Sequence, residues 1–270
     1  MSGFSPEWLA LREPADNAAR NRAVLDACAQ HFAGRDVLRI CDLGAGTGST
    51  LRACAAFLPD MQQWTLVDHD AGNLAAAYDV LAGWADAASR AGDALNLAWR
   101  GKAINVRTRV RDVARDPACW PENTNLVTAS ALFDLTSAAW IARFVKALQR
   151  TPLLGALSFD GVIAGAPAHA LDARISAAFN QHQKSDKGFG PAAGPDAARV
   201  LEEELAESGF ALTAGESPWV LAPSDLQTAT AQGVAGAAVE TGAVTRAEAD
   251  EWRAHARTQL VIGHRDVFAA

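Results

Sequence analysis

Three glycines that follow an apolar run constrain the fold of this chain more than any other feature. Residues 37–43 are apolar and partly β-branched, and Gly44, Gly46 and Gly48 come directly after them. Residues 51–58 then have helical spacing. A strand that turns into a helix through glycines lets a ligand lie against bare backbone, where a Cβ would clash. The pattern therefore predicts a ligand-binding α/β domain.

Apolar runs and helical spacing alternate along the rest of the chain. The pattern predicts strands at 64–67, 103–110, 126–132, 153–163, 210–213 and 259–263, and helices at 16–32, 71–88, 137–148, 196–207, 224–239 and 246–257. Thr245 and Glu248 form a capping-box signature at the start of the last helix. Strands alternating with helices of this length predict a doubly wound α/β fold, with a mostly parallel sheet, helices on both faces and ligands at the carboxyl ends of the strands.

The chain is predicted to contain two main parts. Residues 1–36 precede the first strand and are expected to form a helical lid segment, and residues 37–270 are expected to form the ligand-binding domain. Within that domain, residues 165–195 interrupt the alternation, with a helix at 168–180 and a polar run rich in Gly and Pro at 181–194. A loop this long in a compact domain is more often functional than accidental, which predicts an active-site lid.

The spacing of the glycines separates two classes of ligand. The nicotinamide fingerprint is Gly-x-Gly-x-x-Gly, whereas the third glycine here is Gly48 and Ser49 occupies the fingerprint position. Asp42 also precedes the first glycine by two residues. A carboxylate there repels a pyrophosphate but accepts hydrogen bonds from a cationic amino-acid group, so the spacing favours a zwitterionic ligand.

The Asp-x-Gly-x-Gly-x-Gly stretch after the first strand resembles motif I of the class I S-adenosylmethionine-dependent methyltransferases. The resemblance covers residues 37–165 and continues more faintly from 195 to the C-terminus. It implies a Rossmann-like methyltransferase fold with a seven-stranded sheet, and S-adenosyl-L-methionine as cofactor. It also implies that the cofactor is bound at Asp42, Gly44, Ala45, Gly46 and Gly48.

The resemblance assigns further cofactor contacts at the ends of the later strands. Asp68 would bind both ribose hydroxyls, unless it only caps the following helix, and His69 replaces the apolar residue that stacks on adenine in many relatives. Asp112, followed by Val113, would contact the adenine amino group, unless it only ends a strand. Ser130 would line the cofactor at the end of the fourth strand.

Residues before the first strand often fold over the cofactor in this superfamily. Arg12 or Arg20 could therefore pair with the carboxylate of the methionine moiety, because a guanidinium matches a carboxylate in two parallel hydrogen bonds. A solvated arginine on a surface helix is the alternative for either residue. Arg20 is the residue that we expect at the cofactor.

Three residues are candidates for the chemistry of transfer, in which the protein positions donor and acceptor and removes a proton where needed. Asp134 follows the fourth strand, with helix capping as its alternative role. Asp160 lies within an apolar run, where a charge needs a partner or a function, although a turn at Asp160 and Gly161 is the other explanation. His182 lies on the predicted lid and has the side chain suited to general-base work near neutral pH, unless the loop is simply solvated.

Charge and motifs bear on the acceptor. The formal net charge of −7 and the pI of about 5.4 make a nucleic-acid partner unexpected, because phosphate binding needs clustered Lys and Arg. Motifs typical of amino- or cytosine-methylating nucleic-acid enzymes are absent from the sequence. A small-molecule acceptor for O- or N-methylation is therefore favoured. A catalytically idle cofactor-binding regulatory module, and a protein or RNA methyltransferase, remain the alternatives.

The cysteines and the hydropathy pattern bear on metals and location. Cys28, Cys41, Cys54 and Cys119 form no Cys-x-x-Cys pair and have no His at zinc-ligand spacing, so no metal is expected. The N-terminus lacks the charged and apolar regions of a secretion signal. With no apolar run near ~20 residues, the sequence predicts a cytoplasmic protein without a membrane partner.

Overall fold

The computed structural model describes residues 4–270, which fold into nine α-helices and ten β-strands in one sheet. The helices are α1 Pro6–Ala19, α2 Arg22–His31, α3 Ser49–Cys54, α4 Ala71–Trp84, α5 Ala138–Leu148, α6 Asp172–Gln183, α7 Ala197–Glu207, α8 Asp225–Glu240 and α9 Arg246–Ala254. The strands are β1 Val37–Leu43, β2 Met61–Asp68, β3 Ala87–Ala91, β4 Ala94–Trp99, β5 Lys102–Val110, β6 Leu126–Ser130, β7 Leu153–Ala166, β8 Leu212–Glu216, β9 Trp219–Leu221 and β10 Gln259–Ala269. Among these residues, none of the helices is long and apolar enough to cross a lipid bilayer.

The sheet confirms the predicted doubly wound α/β fold. Its order is β3-β4-β5-β2-β1-β6-β7-β10-β8, with β9 paired to β10. The five central strands β5, β2, β1, β6 and β7 are parallel, and β10 is antiparallel to both β7 and β8. The seven strands from β5 to β8 therefore match the expected seven-stranded sheet, and β3, β4 and β9 enlarge it to ten strands. The carboxyl ends of the parallel strands meet at one edge.

The hairpin β3–β4 was not predicted. It occupies residues that were partly assigned to a longer helix. The expected helix at 71–88 stops at Trp84, and Ala87–Ala91 instead pairs antiparallel with Ala94–Trp99. The turn uses Gly92 at a φ of +62°. Trp84 stacks on Trp99 with ring centroids 4.4 Å apart, which holds the hairpin against the helix. Alanine-rich sequence concealed this change because alanine favours helices wherever packing does not oppose it.

The predicted helix at 16–32 is two helices. The first begins earlier, at Pro6, where the side chain of Ser5 accepts a hydrogen bond from the N–H of Trp8 and proline occupies the first turn. Arg20 has an extended conformation with ψ at 131° and separates the helices. Asn21 then caps α2 by accepting from the N–H of Val24. The break frees α1 to turn across the carboxyl edge of the sheet.

A buried carboxylate joins three segments beside that edge. Asp266 on β10 is 1% exposed and accepts hydrogen bonds from Leu157 N at 2.7 Å, Ser217 Oγ at 2.5 Å and Asn21 N at 2.9 Å. Leu157 lies inside β7 with a φ of +55°, a conformation that costs an L-residue energy. The bond from its N–H to Asp266 opposes that cost, so β7 is held in an irregular shape where it borders the site.

Candidate active site

The glycine loop between β1 and α3 is held open as a cradle of backbone. Gly44, Gly46 and Gly48 have φ angles of +65°, +52° and +80°. Ala45 donates its N–H to the carbonyl of Val67 on β2 at 3.0 Å, which fixes the loop against the sheet. Gly48 serves packing, because a Cβ there would lie 3.3 Å from Leu81 Cδ1. Gly44 and Gly46 face a cavity instead.

This glycine-loop cavity has a volume of about 370 Å³. Four parallel strands contribute to its wall at their carboxyl ends, through Gly44 after β1, Asp68 on β2, Val113 after β5 and Ser130 on β6. His69 and Asn73 line it further out. Its size is within the range of roughly 300–1,000 Å³ that is usual for small-molecule sites. The predicted cofactor residues Gly44, Gly46, Asp68, His69, Val113 and Ser130 are thus brought together.

Asp68 is bound to the glycine loop and does not cap the next helix. It is 7% exposed, and its Oδ2 accepts the N–H of Gly46 at 2.9 Å. Its Oδ1 accepts the N–H of Asp70 at 2.9 Å and lies 3.2 Å from Nδ1 of His69, whose side chain is 64% exposed. The cap of α4 is Asp70, which accepts hydrogen bonds from the first turn of that helix. Asp68 therefore keeps its carboxylate at the cavity wall.

Asp42 and Arg20 are buried behind the cavity wall. Asp42 is fully buried, and its Oδ1 accepts the hydroxyl of Thr128 at 2.6 Å while Oδ2 has no partner. Burial raises the pKa of Asp42 to about 7, and the Thr128 bond and the Arg20 charge oppose that rise. Arg20 is 8% exposed, and its Nη2 donates to Ser130 Oγ at 3.4 Å while Nε and Nη1 have no partner. Neither side chain lines the glycine-loop cavity, so the structure places these two predicted cofactor residues behind its wall.

Two further predicted site residues, Asp112 and Asp160, do not line the glycine-loop cavity. The side chain of Asp112 is about half exposed, accepts the N–H of Ala114 at 3.0 Å and lies 3.3 Å from Arg115 Nε. Asp160 accepts the N–H of Val162 at 3.0 Å within its own strand, and burial raises its pKa. Each carboxylate accepts a hydrogen bond from the backbone N–H two residues further along the chain. The structure therefore does not bring Asp160 to the expected catalytic position or Asp112 to the expected adenine contact.

A second cavity of about 360 Å³ adjoins the first. Five residues line both cavities, and they are Phe4, Arg12, Ala131, Leu135 and Gln183. Most of the remaining wall is aromatic or aliphatic, from Trp8, Leu157, Phe159, Phe179, Trp219, Val234 and Ile262. We call it the aromatic cavity. An apolar cavity with a few polar groups is typical of a site for a small organic molecule.

The aromatic cavity contains two of the three predicted catalytic residues. Asp134 lines it with an Oδ1 atom that is buried without a hydrogen-bond partner, and burial raises the pKa of Asp134 to about 6. His182 lines it with an unpartnered Nδ1, while its Nε2 lies 3.0 Å from Glu240 Oε2. His182 belongs to α6, which extends to Gln183, so it lies on a helix and not on the predicted loop.

Sequence reasoning named Arg12 only as a possible partner of the cofactor carboxylate, and it missed two other polar residues of the aromatic cavity, His264 and Thr230. Arg12 donates from Nε and Nη2 to the two carboxylate oxygens of Asp16, at 2.9 and 3.1 Å, and its Cζ lies 4.9 Å from the Trp219 ring centroid. His264 is buried with an unpartnered Nδ1, and burial and the Arg12 charge lower its pKa to about 3. Thr230 on α8 adds an unpartnered hydroxyl. No local motif marks these residues, because they come from separate elements.

Helix α1 covers both cavities and is anchored to the glycine loop. Leu9 Cδ1 lies 2.9 Å from the position that a Cβ on Gly46 would occupy. Glu13 accepts two hydrogen bonds of 2.6 Å from Arg52, which also donates from Nη1 to the carbonyl of Thr47 at 2.7 Å. These contacts hold α1 against the glycine loop.

The end of α6 and the segment that follows it close another side of the glycine-loop cavity. Gln183, Lys187 and Phe189 line the glycine-loop cavity, and Phe189 packs edge-on against Trp140 with centroids 5.5 Å apart. Asp186 Oδ1 accepts the N–H groups of Gly188 and Gly190 at 2.7 and 3.1 Å. The predicted loop is therefore an ordered turn beside the cavity. Between residues 4 and 270 no group of three His, Cys, Asp or Glu side chains is placed to hold a metal ion.

Comparisons with known proteins identify the fold. No protein-family model matches the chain, and no curated protein matches it in sequence. Among solved structures, it is similar to a cyclopropane-fatty-acyl-phospholipid synthase-like protein from Lactobacillus casei, at 14% identity, with 99% of this chain and 95% of that chain covered and a TM-score of 0.53. It is also similar to the mycolic acid cyclopropane synthase CmaA1 complexed with SAH and CTAB, at 13% identity, with 92% and 83% covered and a TM-score of 0.50. The chain therefore has the fold of the class I S-adenosylmethionine-dependent methyltransferases.

Proposed function

We propose that the protein binds S-adenosylmethionine in the glycine-loop cavity and transfers its methyl group to a small molecule in the aromatic cavity. One observation carries this proposal: the two cavities adjoin at the carboxyl edge of the sheet and share Arg12, Ala131, Leu135 and Gln183. A donor in one cavity and an acceptor in the other would therefore lie next to each other. Positioning the two reactants is the main task of an enzyme whose cofactor supplies the reactivity.

The residues of the glycine-loop cavity suit this cofactor. Bare backbone at Gly44 and Gly46 accepts close approach of the ligand, and Asp68 offers carboxylate oxygens at the end of β2 for ribose hydroxyls. The similar fold of CmaA1, which was solved in complex with SAH, agrees with this assignment. The bound cofactor supplies an electrophilic methyl group on a sulfonium.

The aromatic cavity supports a small-molecule acceptor. Its volume of about 360 Å³ accommodates a drug-sized molecule, and α1 lines one side of it through Trp8 and Arg12. Asp134 and His182 lie in its wall as groups that can hold or accept a proton. The protein's part in the reaction is then to orient the acceptor, exclude water and take up the released proton.

Two measurements test the proposal. Calorimetric titration with S-adenosylmethionine, S-adenosylhomocysteine and NADH is expected to give micromolar binding of the first two and none of NADH. Incubation with S-adenosylmethionine and a panel of amines, phenols and carboxylic acids is expected to release S-adenosylhomocysteine with at least one acceptor. Absence of binding would refute the cofactor site. Binding without turnover for every acceptor would favour an idle cofactor-binding module.

A further inference from the structure

The polar atoms of the aromatic cavity indicate the chemistry of its ligand, on the premise of the proposed function. Five of them are buried without a hydrogen-bond partner, namely Trp8 Nε1, Asp134 Oδ1, His182 Nδ1, Thr230 Oγ1 and His264 Nδ1. Buried polar groups are nearly always hydrogen-bonded, and one left unpaired costs about 1–3 kcal/mol. Five such atoms around one cavity therefore point to a ligand that carries hydrogen-bonding groups as well as an apolar body.

The charges around the cavity do not balance. Arg12 is already paired through two hydrogen bonds with Asp16, so its positive charge is compensated. Burial holds His264 in its neutral form by lowering its pKa to about 3. His182 directs Nε2 to Glu240 at 3.0 Å.

Asp134 is the remaining carboxylate in the wall, and its Oδ1 has no partner. Arg12 and Lys187 are the cations that act on Asp134 through their charge. Arg12 is committed to Asp16, and Lys187 donates to Ser185 at 2.9 Å and lines the other cavity. The Asp134 carboxylate is thus a negative group of the aromatic cavity without a paired cation, and it would repel an anionic ligand.

Aromatic faces strengthen this preference for positive charge. Trp8, Phe159, Phe179 and Trp219 surround the cavity, and the faces of aromatic rings attract cations. Flat rings also pack well against such walls, in offset or edge-to-face contact.

We propose that the aromatic cavity binds a small aromatic molecule carrying a basic nitrogen, and that this nitrogen is the methyl acceptor and faces Asp134. In the transfer, the protonated nitrogen first gives one proton to the Asp134 carboxylate, and its freed lone pair then forms the new N–C bond to the methyl carbon. The C–S bond of the donor breaks and leaves its electron pair on sulfur. Asp134 then releases the proton to solvent.

Three probes of similar size and different charge test the ligand class. We would titrate 2-phenylethylamine, 2-phenylethanol and 3-phenylpropanoate into the protein saturated with S-adenosylhomocysteine, and into the free protein. The amine is expected to bind at least ~10-fold more tightly than the alcohol, with no detectable binding of the carboxylate. Equal binding of amine and alcohol, tighter binding of the carboxylate, or no binding of any probe would overturn the proposal.

A matched pair of variants tests the role of Asp134. Asp134→Asn is expected to reduce amine affinity ~10-fold or more, to that of the alcohol, and to leave alcohol affinity unchanged. Asp79→Asn removes the same charge from an exposed position on α4 and is expected to change neither affinity. An unchanged preference for the amine in Asp134→Asn would refute the assigned contact. Binding of S-adenosylhomocysteine is measured first in each case, so failure of the cofactor site is distinguished from failure of this inference.

Discussion

The Oδ2 atom of Asp68 accepts a hydrogen bond from the backbone N–H of Gly46 at 2.9 Å. This bond joins the end of β2 to the glycine loop that follows β1, two neighbouring parallel strands. It places a carboxylate and a bare stretch of backbone side by side in the same cavity wall. The Asp68 side chain therefore both holds the shape of the glycine loop and supplies the negative charge beside it.

Replacing Asp68 is expected to weaken cofactor binding strongly. Asp68→Ala removes both the loop contact and the acceptor for ligand hydroxyls, which corresponds to about 2–4 kcal/mol of binding free energy. Calorimetric titration with S-adenosylhomocysteine measures the loss. His69→Ala is the control, because that side chain is 64% exposed and should change affinity little. A loss of less than about tenfold in Asp68→Ala would limit this residue to a structural role.

A Cβ at Gly46 is expected to block the cavity. Gly46 has a φ of +52°, and Leu9 Cδ1 lies 2.9 Å from the position of the added Cβ. Gly92 provides a matched control, because it has a φ of +62° with open space around it. Both alanine variants should lose about 1–2 kcal/mol of folding stability from the left-handed backbone. Only Gly46→Ala should also lose binding of S-adenosylhomocysteine, and equal affinities in the two variants would contradict a cradle at Gly46.

Weakening the anchor of α1 is expected to open the site. Glu13 and Arg52 form a partly buried bidentate pair whose side chains are 20% and 7% exposed. Glu13→Gln should cost about 1–3 kcal/mol and increase hydrogen exchange within Pro6–Ala19, with faster release of S-adenosylhomocysteine. Asp26→Asn breaks the more exposed pair with Arg22 and serves as the control. Unchanged exchange in Glu13→Gln would show that other contacts hold the helix.

The raised pKa of Asp134 predicts how stability depends on pH. Burial raises this pKa from 3.8 to about 6, so the folded protein holds the proton more tightly than the unfolded chain does. The protonated Asp134 side chain therefore stabilises the folded state by at most ~3 kcal/mol. This contribution to the free energy of unfolding is present in full below about pH 3.8 and is lost as pH rises through about 6. Asp134→Asn should therefore be more stable than wild type at about pH 7.5.

Denaturant unfolding at about pH 4.5 and about pH 7.5 measures this effect. The stability gained by Asp134→Asn over wild type should be larger at the higher pH, because only there does wild type carry the buried charge. The same variant should form S-adenosylhomocysteine more slowly at about pH 7.5, since it lacks the carboxylate that takes the proton. A variant that loses stability at the higher pH would mean that the Asp134 charge is compensated in the folded protein.

Local features of the sequence were sufficient for the parallel centre of the fold and for much of the glycine-loop cavity. Apolar runs predicted β1 and β2, and the glycines after β1 predicted a turn into a helix, which begins at Ser49. The capping box of Thr245 and Glu248 is also confirmed. These features depend on interactions between residues that are close together in the chain, or on the carboxyl ends of parallel strands, which meet at one edge of the sheet.

Only the tertiary structure decided the aromatic cavity. Its walls come from α1, β7, α6, α8, β9 and β10, and the bond from Trp219 Nε1 to Asp16 Oδ1 joins residues 203 positions apart. It also decided that Asp134 enters this cavity while Asp160 stays with its own strand. Strand periodicity shows that a side chain lies on a sheet face, but the neighbours it meets depend on how distant helices pack. The sequence by itself therefore determined the glycine loop that borders one cavity, and long-range packing determined the aromatic cavity beside it.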